Sequence, residues 1–164
     1  MSFPIHEHCK KMATKDNEVP WWAAFPEPSS RPDNIEPAGV FALLKEQSTS
    51  PGKPRDFLLV DVRRADWTGG TVESSINLPA HSFYTTRKIV YDLCKQAGIK
   101  SVIFYCGSSN GRGPRCAAWM QDFINDAGDT SIRSLVLTGG IRGWVKTYEG
   151  RRMDGYDAKA WEAS

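Results

Sequence analysis

An α/β fold, with a mainly parallel central sheet and helices on both faces, is predicted by three features of the sequence. Short continuous apolar runs, Phe57 to Val60, Val102 to Tyr105 and Leu135 to Leu137, have the pattern of strands buried on both sides. Segments with helical spacing of apolar residues alternate with these runs. The chain has 164 residues, 40% of them apolar, which suits one domain around one core.

The first 33 residues carry Pro4, Pro20, Pro26, Pro28 and Pro32 and few periodic apolar positions, so they read as an arm. Burial of Trp21, Trp22 and Phe25 against the domain is expected, with a partner-binding hook as the rarer alternative. The regular pattern starts at Asn34 and defines a domain over 34–148, with a tail over 149–164. Pro37 suits a first helical position, and Val40, Phe41, Leu43 and Leu44 give that helix an apolar face up to about Gln47. Phe57 to Val60 is a buried strand ending at Asp61, and Ile76-Asn77-Leu78 is a shorter one. A helix is expected over Thr86 to Ala97, with Ile89, Val90, Leu93 and Ala97 on its inner face and Gly98 as its stop. Ser101 to Tyr105 is the next strand. The following helix runs from about Pro114 to Asn125 and buries Cys116, Met120, Phe123 and Ile124. After a last strand at Leu135 to Leu137, Thr138-Gly139-Gly140 turns into a short helix that packs through Ile141, Trp144, Val145 and Tyr148. The tail segment Asp157 to Trp161 either covers the edge of the site or packs elsewhere.

Composition narrows the function. Lysine and arginine number 21 against 19 acidic residues, for a formal charge of +2, and no stretch has the basic density of a nucleic-acid footprint. The apolar runs are too short to span a membrane, and the polar N-terminus lacks a signal pattern, so the expected compartment is the cytoplasm, with the nucleus left open. Cys9, Cys94, Cys106 and Cys116 form no CxxC pair, which argues against a disulfide scaffold or structural zinc. His6-Glu7-His8-Cys9 is the only metal-like cluster, and without a second ligand group no metal site is expected.

In a parallel sheet, sites gather beyond the carboxyl ends of the strands, which here brings Asp61, Cys106 and Thr138 to one rim. The segment leaving the strand at Tyr105 is Cys106-Gly107-Ser108-Ser109-Asn110-Gly111-Arg112-Gly113-Pro114-Arg115. An oxyanion needs several inward-pointing backbone N–H groups, and the glycines permit the curvature that supplies them. The helix that follows adds unpaired N–H groups and the positive end of its dipole. The same field favours a thiolate, so Cys106 is expected to be a nucleophile, and the planar fork of Arg112 is expected to hold two oxygens of a tetrahedral anion. Gly107, Ser108, Ser109, Asn110, Gly111 and Gly113 are the expected anion-binding positions.

These residues resemble the rhodanese superfamily, in the branch of the cell-division-cycle dual-specificity phosphatases and fungal arsenate reductases, over roughly Asn34 to Tyr148. Beside the loop, the resemblance rests on Leu59-Val60-Asp61-Val62-Arg63, Asp66-Trp67 with Gly69-Gly70-Thr71-Val72, Ser75-Ile76-Asn77-Leu78-Pro79, and Leu137 to Trp144. Five residues separate Cys106 from Arg112, as in that branch, whereas sulfurtransferases typically carry one fewer. The sequence departs from the family at three places. Tyr105 and Thr71 each stand where histidine is usual, and Val62 stands where some phosphatases carry a protective second cysteine.

The resemblance implies a single rhodanese-like domain acting as a cysteine-dependent arsenate reductase with phosphatase capacity, on arsenate or a phosphate ester. It implies no bound cofactor, glutathione or glutaredoxin as external reductant, and Asp61 and Arg63 as braces for the loop. Asp66 and Glu73 are the candidate proton donors for a leaving oxygen. Cys116 and Cys94 are expected in the core. Two alternatives stand beside this reading: a sulfurtransferase that forms a Cys106 persulfide, and a non-catalytic binding domain that uses the aromatic arm.

Overall fold

In the computed structural model, which describes residues 18–162, five parallel strands form the central sheet in the order β1-β6-β5-β2-β4. They are β1 (Asp33–Ile35), β2 (Phe57–Asp61), β4 (Ile76–Asn77), β5 (Ser101–Tyr105) and β6 (Arg133–Leu137). Two-residue strands β3 (Thr71–Val72) and β7 (Met153–Asp154) pair antiparallel beside it. The candidate metal cluster at His6 to Cys9 lies outside the described residues.

Side-chain alternation along the strands divides the core between the two faces of the sheet. Val60, Val62, Val102, Phe104 and Val136 pack with Phe83, Val90 and Cys94 of α2 (Ala80–Gln96) and with Cys116, Trp119, Met120 and Ile124 of α3 (Arg112–Asp126). Phe57, Leu59, Ile103, Leu135 and Leu137 pack with Val40 and Leu44 of α1 (Pro37–Thr49) and with Ile141 and Trp144 of α4 (Gly140–Tyr148). Helices therefore cover both faces, as the sequence predicts. In the register, Asp61 stands beside Tyr105 on one side and Asn77 on the other, so the strand ends form one rim with Cys106 near its middle.

The structure corrects several local expectations. Helix α2 begins at Ala80, directly after Pro79, not at Thr86. It buries Phe83, Val90 and Cys94, while Ile89 and Leu93 are about 60% exposed (60% and 59%) over the β4 edge, so the expected inner face is rotated. Helix α3 begins at Arg112 with Gly111 as its cap; Pro114 sits in the first turn, where no intrahelical N–H bond is lost. Phe123 is only partly buried.

The described parts of the segments outside 34–148 are pinned by polar as well as apolar contacts. Trp119 Nε1 donates to the Pro26 carbonyl at 2.8 Å, and the Ser29 and Ser30 amides donate to Asp122 at 2.9 and 2.8 Å. Trp21 stacks on His81 at 4.3 Å and Phe25 on Tyr84 at 4.9 Å. At the other end, β7 pairs with β3, and Trp161 Nε1 donates to the Gly69 carbonyl at 2.9 Å, which places the tail on the Gly69–Gly70 turn.

Candidate active site

Cys106 is the first residue beyond β5 and is 4% exposed. Its Sγ accepts a hydrogen bond from the Gly113 amide at 3.4 Å, so an N–H of the first turn of the 15-residue α3 points at the sulfur. Glycine at 113 allows this close approach: a Cβ there would lie 3.2 Å from Tyr105 Cα and 3.3 Å from the Cys106 amide nitrogen, tight enough to push helix and strand end apart by a few tenths of an ångström. On the other side, the carbonyls of Cys106 and Gly107 accept from the Ile141 and Arg142 amides of α4, each at 3.0 Å. Gly140, with φ +58°, makes that approach possible, because a Cβ there would lie 2.5 Å from the Cys106 carbonyl oxygen.

The loop opens on a cavity of about 350 Å³. Of the positions expected from sequence, Cys106, Gly107, Ser108, Gly111 and Arg112 line it. Gly113 lies beneath, with its amide on the sulfur. Ser109 is turned inward instead, buried with φ +56°, and its hydroxyl has no hydrogen-bond partner among the described residues. Asn110 is exposed and faces the neighbouring groove beside Pro28 and Arg31. Arg115, which the sequence places along the loop, also lines the cavity, and sequence reasoning missed three contributors to the lining: Trp21, Trp22 and Arg142. Spacing carries no signal for the two tryptophans, since they come from the arm and reach the site only through tertiary packing.

Arg112 is not free. Its Nη1 and Nη2 donate to the two carboxylate oxygens of Asp66 at 2.7 and 2.5 Å. This pairing holds the Asp66 carboxyl well below the usual carboxylate range and raises Arg112 in turn. Asp66 is thus ionised, not poised as a proton donor. Glu73, the other candidate donor, pairs with Arg152 at 3.1 Å and does not line the cavity.

Beneath the rim lies a buried polar network. Arg63 Nη2 donates to Asp61 at 2.7 Å and to the Gly70 carbonyl at 2.7 Å, and its Nη1 reaches the Thr68 carbonyl at 3.1 Å. Thr71 donates to Asp61 at 2.9 Å, and its Oγ1 lies 2.7 Å from the Tyr105 hydroxyl. The Val72 amide donates to that hydroxyl at 3.1 Å, and Ser75 Oγ lies 2.7 Å from it. Burial pushes the Tyr105 phenol up, so it stays neutral. Tyr105 and Thr71, the two departures from the family's histidines, therefore meet each other.

Cys94 and Cys116 are buried in the core, as expected; burial pushes Cys94 up to about 11 and Cys116 higher still. Among the described residues, no cluster of three His, Cys, Asp or Glu side chains is placed to hold a metal ion. No described helix is long and apolar enough to cross a membrane.

A family model for the rhodanese-like domain matches residues 42–147, more than half of the chain. The chain belongs to this family. Among its rhodanese-like relatives is Arsenical-resistance protein 2 of Saccharomyces cerevisiae, 28% identical over 97 residues, covering 55% of this chain and 75% of that protein. Another is the dual specificity phosphatase ibp1 of Schizosaccharomyces pombe, 25% identical over 116 residues, covering 60% of this chain and 82% of the relative. Among solved structures, Saccharomyces cerevisiae Ygr203w, a homolog of single-domain rhodanese and the Cdc25 phosphatase catalytic domain, superposes with a TM-score of 0.65 at 26% identity, covering 80% and 93% of the two chains. The relatives fall in the branch that the loop length indicates.

Proposed function

We propose that this rhodanese-like protein is a cysteine-dependent arsenate reductase with a phosphatase side activity, in which Cys106 attacks an oxyanion seated in the 107–111 loop. The observation that carries the reading is the Gly113 amide aimed at Cys106 Sγ at the head of α3, with Arg112 on the same cavity. An amide donor and a helix terminus aim partial positive charge at the sulfur and at an anion in front of it. Arg112 has five N–H donors and Asp66 engages two, so three remain for substrate oxygens and for charge added in the transition state. Asp61 and Arg63 brace the floor.

Among the described residues that line the cavity, the only carboxyl is Asp66, which Arg112 keeps ionised. Among the described lining residues no acid is therefore poised to protonate a poor leaving group, which disfavours alkyl phosphate esters. It suits arsenate, which exchanges its oxygens with water readily, and aryl phosphates, whose leaving group needs little help. The resemblance to an arsenical-resistance protein points the same way. Reduction is completed by an external thiol, with glutathione or glutaredoxin as the reductant.

The test is a parallel assay of the protein and Cys106→Ser with arsenate plus glutathione and glutaredoxin, with an aryl phosphate, and with thiosulfate. Arsenite formation that is lost in Cys106→Ser is expected. Arsenite formation that survives the substitution removes the cysteine from the mechanism, and cysteine-dependent sulfur transfer in place of arsenate turnover assigns a sulfurtransferase.

A further inference from the structure

The cavity is several times the size of a single oxyanion, and the three arginines that line it differ in how their charge is met. Arg112 engages Asp66. Arg115 engages Glu27 at 2.8 Å and lies over the Trp22 ring at 5.1 Å. Arg142 alone has a guanidinium with no hydrogen-bond or ion-pair partner among the described residues. Its backbone is fixed beside the loop by the hydrogen bond from its amide to the Gly107 carbonyl at 3.0 Å. An unneutralised cation within reach of the nucleophile attracts an anionic group on whatever shares the cavity with the oxyanion.

Reduction identifies that second occupant, and here the inference rests on the reductase reading. Two electrons must reach arsenic, and neither described cysteine other than Cys106 can deliver them. Cys116 is fully buried, Cys94 is 2% exposed, and burial disfavours the thiolate of each. The reductase reading takes an external thiol as its co-reactant, and to reach the Cys106 sulfur that thiol enters this cavity. We propose that Arg142 is a positioning residue for the external reductant: it pairs with a carboxylate of an acidic thiol, while Trp22, 37% exposed, walls the carbon chain.

The step balances with such a thiol as co-reactant. Cys106 thiolate displaces one arsenate oxygen, released as water after protonation, and forms an S–As(V) bond. The incoming thiolate attacks the Cys106 sulfur; the S–As bond breaks, its electron pair stays on arsenic, and arsenite leaves. A second thiol then resolves the mixed disulfide on Cys106. One arsenate is reduced from +5 to +3, and two thiols are oxidised to one disulfide.

The full chain is assayed for arsenate turnover with glutathione, which carries two carboxylates, with uncharged 2-mercaptoethanol, and with cationic cysteamine. For each thiol, the kcat/KM of Arg142→Gln is divided by that of the unaltered protein, which cancels intrinsic thiol reactivity. The glutathione ratio is expected to fall about fivefold below the 2-mercaptoethanol ratio. The cysteamine ratio is expected to exceed both, and Arg142→Lys to restore most of the glutathione preference. Equal ratios for all three thiols overturn the role of Arg142 and leave the reductase reading standing. Absence of arsenate turnover with every thiol in the unaltered protein overturns that reading and this inference with it.

Discussion

Two arginine–carboxylate pairs are built on the stretch from Asp61 to Asp66, and they serve opposite ends. Arg63 and Asp61 have side chains 2% and 0% exposed, and the guanidinium also holds the Thr68 and Gly70 carbonyls. Arg112 and Asp66 have side chains 27% and 51% exposed, and they face the cavity. The chemistry of the contact is the same, so burial makes the difference. A buried charge that loses its partner has no water to turn to, which fixes the first pair for the life of the fold. The second pair competes with water at every moment, so an oxyanion can take over part of the arginine at small cost.

The largest expected effect comes from breaking the buried pair. Asp61→Ala strands the Arg63 charge and should cost about 3–5 kcal/mol in urea unfolding. A loss under about 1 kcal/mol would put the two pairs on an equal footing and end the comparison. Next comes Arg112→Lys, which keeps the charge and removes the fork: arsenate turnover should fall about 10²- to 10³-fold, with stability shifted by less than about 1 kcal/mol. A large shift in the unfolding midpoint would show that this pair is structural after all.

The smallest effect is expected from Asp66→Asn, which loosens the hold on Arg112 and should lower the KM for arsenate a few-fold. Because the folded Asp66 carboxyl lies below its ordinary value, the pair contributes stability above the unfolded carboxylate range of about 4 and loses it as pH falls through the depressed value. Asp66 is therefore ionised throughout the range of roughly pH 5 to 9, and the pH–rate profiles of the protein and Asp66→Asn should have the same shape. An acid-to-base limb that vanishes in Asp66→Asn would make Asp66 a proton donor.

The features written in contiguous pattern were legible in the sequence. Strands β2, β5 and β6 are unbroken apolar runs, and the loop from Cys106 to Arg112 carries its glycines, cysteine and arginine in one segment. Strand β1, Asp-Asn-Ile at a sheet edge, and the two-residue β3 and β7 have too few residues to show a period. The face of α2 differs from the expected one because Ile89 and Leu93 are apolar yet border an open groove past the short edge strand β4; hydrophobicity alone does not state where a sheet ends. The meeting of Tyr105 with Thr71, 34 positions apart, and the wall made by Trp21 and Trp22 depend on folding back across the chain, which no local pattern records.

Helix α4 gives the loop something it does not have by itself, a handedness of polarity. Within one peptide unit the carbonyl and the following N–H point in opposite directions. With the Cys106 and Gly107 carbonyls drawn onto the Ile141 and Arg142 amides, the N–H groups of Gly107 and Ser108 are turned the other way, away from α4. The loop is thereby sorted into a face of acceptors and a face of donors before any anion arrives. A residue with a side chain at 140 would push the two strips of backbone apart and let those peptide planes swivel, so an atom that touches no substrate sets which sign of charge the site will accept.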